Sequence, residues 1–196
     1  LANYRANAEA VVVIGLGRFG GALAESLAKS GHEVLGIDSS MKTVQEFSDR
    51  LTHVVQADST DEDALRQLGV ADFQRAVVGI GTNIEASVLT VVALTDLGVP
   101  QIWAKALTAK HAKILKSVGA QHVVQPEAVM GERIAHLITS KMLDFFEFEE
   151  GIAIAKTRKP LADPAEYGVK VIAEPREGEI IVAGTVDEVQ RFAAIT

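Results

Sequence analysis

The chain has 196 residues, enough for one well-buried core and a small second one. It is 48% hydrophobic and 23% charged with 5 prolines, the composition of a folded protein, and its formal net charge of -7 argues against the basic face on which nucleic-acid binding rests. Cysteine is absent, which removes disulfides, thiolate metal sites and cysteine nucleophiles together and fits a reducing compartment.

The opening LANYRANAEA lacks the basic-then-apolar layout of a signal peptide, and no run of about 18 apolar residues follows. Any tie to a membrane is therefore expected to pass through a partner protein, without direct insertion. From residue 11 onward, short apolar runs bounded by turn residues recur at 11–14, 33–37, 53–56, 75–80, 101–104 and 122–124, with helical patterns between them. That alternation predicts crossover units and a parallel sheet covered on both faces, a doubly wound α/β domain of the Rossmann-like type reaching to about residue 140.

Several boundaries have a local cause. Thr60 with Asp63 approximates a capping box ahead of a helix ending near Leu68, and Gly69 supplies its left-handed stop. Leu97-Gly98-Val99-Pro100 ends the next helix, because proline cannot extend it, and Gly119 closes the one after. Val129, Ile134, Leu137, Ile138 and Met142 fall at helical spacing over 128–143, a helix leaving the first domain and a candidate for dimer contact or for packing within the chain. The remainder, 141–196, holds strand-like GIAIAKT, GVKVIAEP and EIIVAG and a closing helical TVDEVQRFAAI, which suits a small α+β module.

Gly15, Gly17 and Gly20 spell G-x-G-x-x-G directly after the first strand and at the mouth of a helix. The first glycine permits the tight turn, the second lets backbone approach phosphate, and the third lets helix and strand pack closely. Free N–H groups and the positive helix end then face an anion. Asp38 closes the next strand, 23 residues beyond Gly15, where its carboxylate accepts from ribose hydroxyls and disfavours a 2′-phosphate. The motif in this setting points to a nucleotide.

A reaction centre is not evident beside it. Proton transfer accompanying hydride chemistry needs a positioned histidine, lysine or tyrosine. His32 falls in a turn, and His53 and His122 at strand starts, all three read as solvated or packing. His111 and His136, on helices among lysines and arginines, are expected to face water or a partner. No H-E-x-x-H spacing, G-x-S-x-G elbow or G-x-x-x-x-G-K-[ST] loop occurs. A sensor is the simpler expectation than an enzyme.

The stretches VIGLGRFG, GIDSS, ADSTDEDALRQLGV, VVGIGTNIEASVLTVVALTDLGVPQIWAKALT and LKSVGAQHVVQPEAVMGERIA, covering 11 to about 135, resemble the regulator-of-potassium-conductance domains (RCK, also called KTN). The similarity is greatest to the cytosolic gating subunits of Ktr and Trk potassium uptake systems. The string Gly17-Arg18-Phe19-Gly20, followed by Pro126-Glu127-x-x-Met130-Gly131, is more particular to that family than the glycine fingerprint alone.

The resemblance implies that Asp38, with Ser39 beside it, holds ribose and that Asp58 with Ser59 borders adenine. It implies that Arg18 and Lys105 meet phosphates, Arg18 often across a dimer interface, and that Gly79, Gly81, Thr82 and Asn83 line the pocket. Glu127 matches the family glutamate that helps bind a divalent cation beside the phosphates. ATP and ADP are the implied ligands, with NAD or NADH the alternative and cyclic di-AMP possible for the C-terminal module. A cytoplasmic homo-oligomer, dimers assembling into an octameric ring, would gate an integral membrane potassium-translocating subunit from the inner face of the membrane. The rivals are a short NAD-dependent oxidoreductase or NADH-sensing regulator, and a structural ring with a permanent nucleotide. The C-terminal module resembles the family only in pieces, because stretches expected after Pro160 and around Glu177-Gly178 are missing. Deleting connections within a sheet would cost much of its core, which favours a sequence that joins segments a longer chain keeps apart.

Overall fold

The computed structural model describes residues 10–139, 141–148 and 151–195, and the chain divides into two compact units between Gln125 and Pro126. The first unit is built on β1 (Val11–Ile14), β2 (Val34–Asp38), β3 (His53–Gln56), β4 (Arg75–Val78), β5 (Gln101–Lys105) and β6 (His122–Val124). Their order is β3-β2-β1-β4-β5-β6 and every neighbouring pair is parallel. This is the doubly wound arrangement expected, with the strand order reversing between β1 and β4. Ligands of such sheets gather outside the carboxyl ends at that point.

The strands read as unbroken apolar runs because both faces are buried, but the pleat divides them. Val12, Ile14, Leu35 and Ile37 join Leu65, Val91, Leu94 and Leu115 beneath α3 (Glu62–Gln67), α4 (Ile84–Asp96) and α5 (Ala109–Ser117). Val11, Val13, Val34 and Val77 face the other way, onto Ala24, Phe47 and Leu51 beneath α1 (Arg18–Lys29) and α2 (Met41–Phe47). Each fully buried side chain of this size contributes about 1.5–3 kcal/mol relative to exposure. The two cores thus clamp β1 from both sides and hold its carboxyl end in place.

The helix stops fall where the glycines predict, with Gly69, Gly98 and Gly119 all at positive φ. The start of α3 differs. Asp61, not Thr60, is its N-cap: the Asp61 carboxylate accepts the N–H groups of Asp63 at 3.0 Å and Ala64 at 3.2 Å. Thr60 is drawn instead to Asp58, whose Oδ1 accepts both its N–H at 2.9 Å and its hydroxyl at 2.7 Å. A carboxylate can take two orphan N–H groups of the first turn at once, which favours aspartate in the cap position.

The second unit comprises α6 (Pro126–Thr139), β7 (Asp144–Glu147), β8 (Ile152–Arg158), β9 (Lys170–Arg176), β10 (Glu179–Thr185) and α7 (Val186–Ala193). Its sheet runs β7-β8-β10-β9, all antiparallel. The helix α6 is shorter at its C-terminal end than the pattern suggests. Met142, which shares the spacing of its apolar residues, lies beyond it in the unit's core with Phe145, Ile180, Val182 and Phe192. The strand β7 lies outside the expected elements: its Phe145-Phe146 pair is flanked by Asp144 and Glu147, which leaves neither an apolar run nor an alternation, and it forms by pairing with β8. Inward Ala153, Ala155, Ile180 and Val182 alternate with more exposed neighbours, and Val189, Phe192 and Ala193 of α7 cover them.

The strand β9 is the exposed edge, broken by register shifts and carrying Pro175, a residue that only edges tolerate. Glu177 and Gly178 turn it directly into β10, with Arg176 opposite Glu179. The short connections therefore still close a four-stranded sheet.

Candidate nucleotide site

The carboxyl edge of the six-stranded sheet collects the expected residues of the first unit. Gly15 follows β1 at φ +84, and a Cβ on it would lie 2.9 Å from the Ile80 side chain. Gly20 lies in the first turns of α1, and a Cβ there would fall 2.0 Å from the Gly15 carbonyl oxygen. Gly79 presses on the same two residues, its Cβ position 2.9 Å from the Gly15 oxygen and 3.1 Å from the Gly20 Cα. These three glycines answer to the fold itself, because the turn, the helix and the end of β4 touch backbone to backbone.

Gly17 does not. Its φ is -67 and a Cβ on it would meet nothing within 4 Å, so neither torsion nor packing demands glycine. It is also the N-cap of α1, which has no side-chain cap and no acid in its first turn, whereas Ser40, Asp61, Asn83, Thr108 and Thr185 cap α2, α3, α4, α5 and α7. The first-turn N–H groups of α1 and its positive end remain for an anion to use. Arg18, exposed at the first helical position, adds a cation where the helix dipole disfavours one unless an anion is present.

Asp38 ends β2 and is tied to the glycine turn. Its Oδ2 accepts the Leu16 N–H at 2.8 Å and its Oδ1 the Ser40 N–H at 2.9 Å, which fixes the carboxylate while each oxygen keeps lone-pair capacity for hydroxyl donors. Ser39 beside it offers its carbonyl to the Gln56 side chain at 2.9 Å. The tie between Asp38 and Leu16 means that the acid closing β2 and the glycine turn after β1 are positioned together by one hydrogen bond.

Next to them opens a cavity of about 640 Å³ lined by Ser39, Gln56, Asp58, Thr60, Asn83, Glu85 and Leu89, among others. Hydrogen bonds from the Thr60 backbone and hydroxyl hold the Asp58 carboxyl below its ordinary pKa, so it stands as an ionised acceptor on the cavity wall. Asn83 caps α4, its Oδ1 accepting the Ala86 N–H at 3.1 Å. Ser59, in contrast, points inward: it is buried, and its hydroxyl pairs with that of Thr90 at 2.8 Å. Gln56, Glu85 and Leu89 escaped the sequence reading. Gln56 could have been found from its place, since it stands opposite Asp38 in register at the end of the neighbouring strand.

Lys105 ends β5 and is only 8% exposed. Its ammonium lies 5.7 Å from the centre of the Phe19 ring, and it borders Gly81 in the turn after β4, 3.5 Å from the place of a Gly81 Cβ. Thus Phe19, Gly81 and Lys105 meet at one corner. Glu127 belongs to the first turn of α6 in the second unit. Among the described residues no group of three or more histidine, aspartate or glutamate side chains could hold a metal ion.

The histidines divide differently from expectation. His53 and His122 are exposed at strand starts, His122 stacked on Trp103 at 4.0 Å between ring centres. His136 is half-buried, with its ring 4.3 Å from that of Phe145. His111, expected to face water or a partner, is 2% exposed: its neighbours Lys110 and Lys113 point out, and the helical turn places it inward with Leu115. Burial alone depresses its pKa.

The TrkA-N domain family model matches residues 11–126. The Ktr system potassium uptake protein C of Bacillus subtilis is 39% identical over 188 residues, which span 90% of this chain and 85% of that protein. The Ktr system potassium uptake protein A of the same organism is 35% identical over 190 residues, 91% of this chain and 86% of that one. Among solved structures, the GsuK RCK domain superposes with a TM-score of 0.70 at 15% identity, over 97% of this chain and 48% of that one. A GsuK channel bound to NAD superposes with the same score and identity, over 97% of this chain and 40% of that one, so both share the fold. With the parallel sheet, its glycine turn and the small antiparallel sheet already in place, the chain belongs to the TrkA-N family of RCK proteins and is related to the Ktr system potassium uptake proteins.

Proposed function

We infer that this chain is a regulatory subunit of a potassium transport system and that it binds an adenine nucleotide along the edge of its six-stranded sheet. The observation that carries the reading is Gly17, a glycine with ordinary torsion and open space above it at the uncapped start of a helix. A missing Cβ that the protein does not itself need is room for a ligand, and the chemistry facing that room suits phosphate. Asp38 would take the ribose hydroxyls, the ionised Asp58 an amino group of the base, and Arg18 with Lys105 the charge of the phosphates.

The potassium system enters through the relatives that span most of this chain. ATP and ADP differ only in the terminal phosphate, so a switch between them requires that the phosphate be held differently in two arrangements of the assembly. Arg18, exposed and free to meet a second copy, is the residue suited to that discrimination. In this reading the subunit is not an enzyme. It assembles into dimers and a ring at the inner membrane face, beside a membrane-embedded partner. No helix among the described residues is long and apolar enough to cross a membrane. A cation at Glu127 and cyclic di-AMP at the second unit are further parts of this proposal. NAD is the second candidate ligand, favoured by the NAD-bound channel with the same fold.

Titration calorimetry with ATP, ADP and NADH on the intact protein tests the reading. Gly17→Ala should leave folding within about 1 kcal/mol while weakening nucleotide binding about tenfold or more. Arg18→Ala should narrow the difference between ATP and ADP. Binding of none of the three nucleotides, or a Gly17→Ala variant that binds as well as the parent, overturns it. NADH binding alone, with Arg18→Ala silent, moves the assignment to a redox sensor.

A further inference from the structure

The first turn of α5 carries a buried histidine that reaches back to the segment joining that helix to β5. Thr108 caps α5 by accepting the His111 N–H at 3.1 Å, and the His111 ring reaches back so that its Nδ1 accepts the Leu107 N–H at 3.3 Å. In a capping box the third helical residue, a glutamate or glutamine, returns to the N–H of the cap itself, whereas His111 returns to that of Leu107, one residue before the cap. A histidine serves only while Nδ1 is unprotonated. With Nδ1 accepting, the proton sits on Nε2, which is buried without a partner among the described residues.

What the bond holds lies against the phosphate corner of the site. Lys105 immediately precedes the 106–108 loop, and the Leu107 side chain and the Lys105 ammonium both flank Gly81, at 3.7 Å and 3.5 Å from the place of its Cβ. The Lys105 backbone is held by pairing with Val124, so what the Leu107 backbone governs is the side chain packed against the Gly81 turn beside the Lys105 ammonium.

We propose that His111 is a positioning residue for the phosphate end of the nucleotide: unprotonated, it fixes the 106–108 loop against Gly81 and Lys105, and protonated it releases that loop and weakens nucleotide binding. Protonation converts the acceptor into a donor facing the Leu107 N–H, and it places a charge in a buried site at the positive end of α5. The titratable groups on the elements around it are Lys105 on β5, Glu85 and Asp96 on α4, and His122 on β6, with Lys110, Lys113 and Lys116 on its own helix. None contributes to the depression of its pKa, which comes from burial. The folded state binds the proton less readily than the unfolded chain, so the loop is fully held above the ordinary histidine value of about 6.5 and is lost as pH falls through the lower folded value.

This inference rests on the nucleotide reading, and the experiment separates the two. ADP affinity is measured by calorimetry on the intact protein between about pH 7.5 and pH 5.5 for the parent, His111→Asn and His111→Leu. Hydrogen exchange of the Leu107 amide is followed alongside. The Asn Oδ1 can accept the same N–H and does not titrate, so the variants share the phosphate's own titration and differ only at residue 111. Expected is a parent that loses about fivefold more affinity than His111→Asn as pH falls, a His111→Leu variant weakened about fivefold already at neutral pH, and rescue by His111→Asn there. Leu107 exchange should be slow in the parent and in His111→Asn and fast in His111→Leu. If His111→Leu fails to fold, the parent and His111→Asn profiles alone decide. Coincident profiles, or a His111→Leu variant that is less stable yet binds ADP like the parent, overturn the inference and leave a helix cap only. A parent that binds no nucleotide at pH 7.5 overturns the functional reading together with it.

Discussion

The two units use their sheets in opposite ways. In the first, the central parallel strands are buried on both faces and meet solvent mainly at their ends, and at the carboxyl ends Asp38, Asp58, Asn83 and Lys105 all follow or end a strand. In the second, antiparallel strands bury one face beneath α7 and leave Ile152 and the whole of β9 exposed. A sheet covered twice concentrates a site at an edge, whereas a sheet covered once offers a face.

The largest expected effect tests whether the two cores are separate. Phe192 is fully buried against Tyr167 and the inward residues of β8 and β10, so Phe192→Ala should cost about 3–5 kcal/mol. Calorimetry should show one transition lowered and the other, belonging to the first unit, unmoved; a common shift would mean a single cooperative block. Slightly smaller is the effect of Gly20→Ala, about 3 kcal/mol, because its Cβ would strike the Gly15 carbonyl. Set against Gly17→Ala in urea unfolding, it should separate a glycine the fold needs from one it does not. Equal midpoints for the two variants would erase that distinction.

Thr185 and Glu188 form a reciprocal capping box on α7, with bonds of 3.3 Å and 2.8 Å, and Thr185→Ala should cost about 1 kcal/mol in the second unit's transition alone. The smallest effect is at Asp58. Its carboxyl is held below its ordinary pKa by Thr60, so the contribution is present above the unfolded value near about 4 and disappears as pH falls through the lower folded one. Thr60→Val should raise the Asp58 pKa in a carboxyl-detected titration, with little change in stability because the group is exposed to solvent. No rise would place the cause elsewhere than the hydroxyl bond.

Legibility followed the range of the cause. The six parallel strands, their order class and the stops at Gly69, Gly98 and Gly119 could be read because hydrophobic runs and turn residues act within a few positions. Asp38 was legible for the same reason, through its spacing from the glycine turn. Asp61 was passed over for Thr60 because the competitor, Asp58, reaches Thr60 from the preceding loop. The lysine neighbours of His111 suggest a face toward water or a partner, but charge in the sequence does not say which face of a short helix turns inward. Ser59 is occupied by Thr90, 31 residues away, a partner that no local pattern announces.

Composition and periodicity by themselves settled the fold class, the glycine turn and the acid that closes β2, because backbone torsion, burial of apolar runs and helix termini are local requirements. Only the tertiary structure decided that Gly17 is open while Gly20 is packed, that Gln56 and Glu85 share a wall with Asp58, and that His111 holds the loop after Lys105. Those facts depend on which strand ends and helix starts are brought side by side, and that proximity is set by chain crossovers of 14 to 22 residues, across which the order of residues carries no distance.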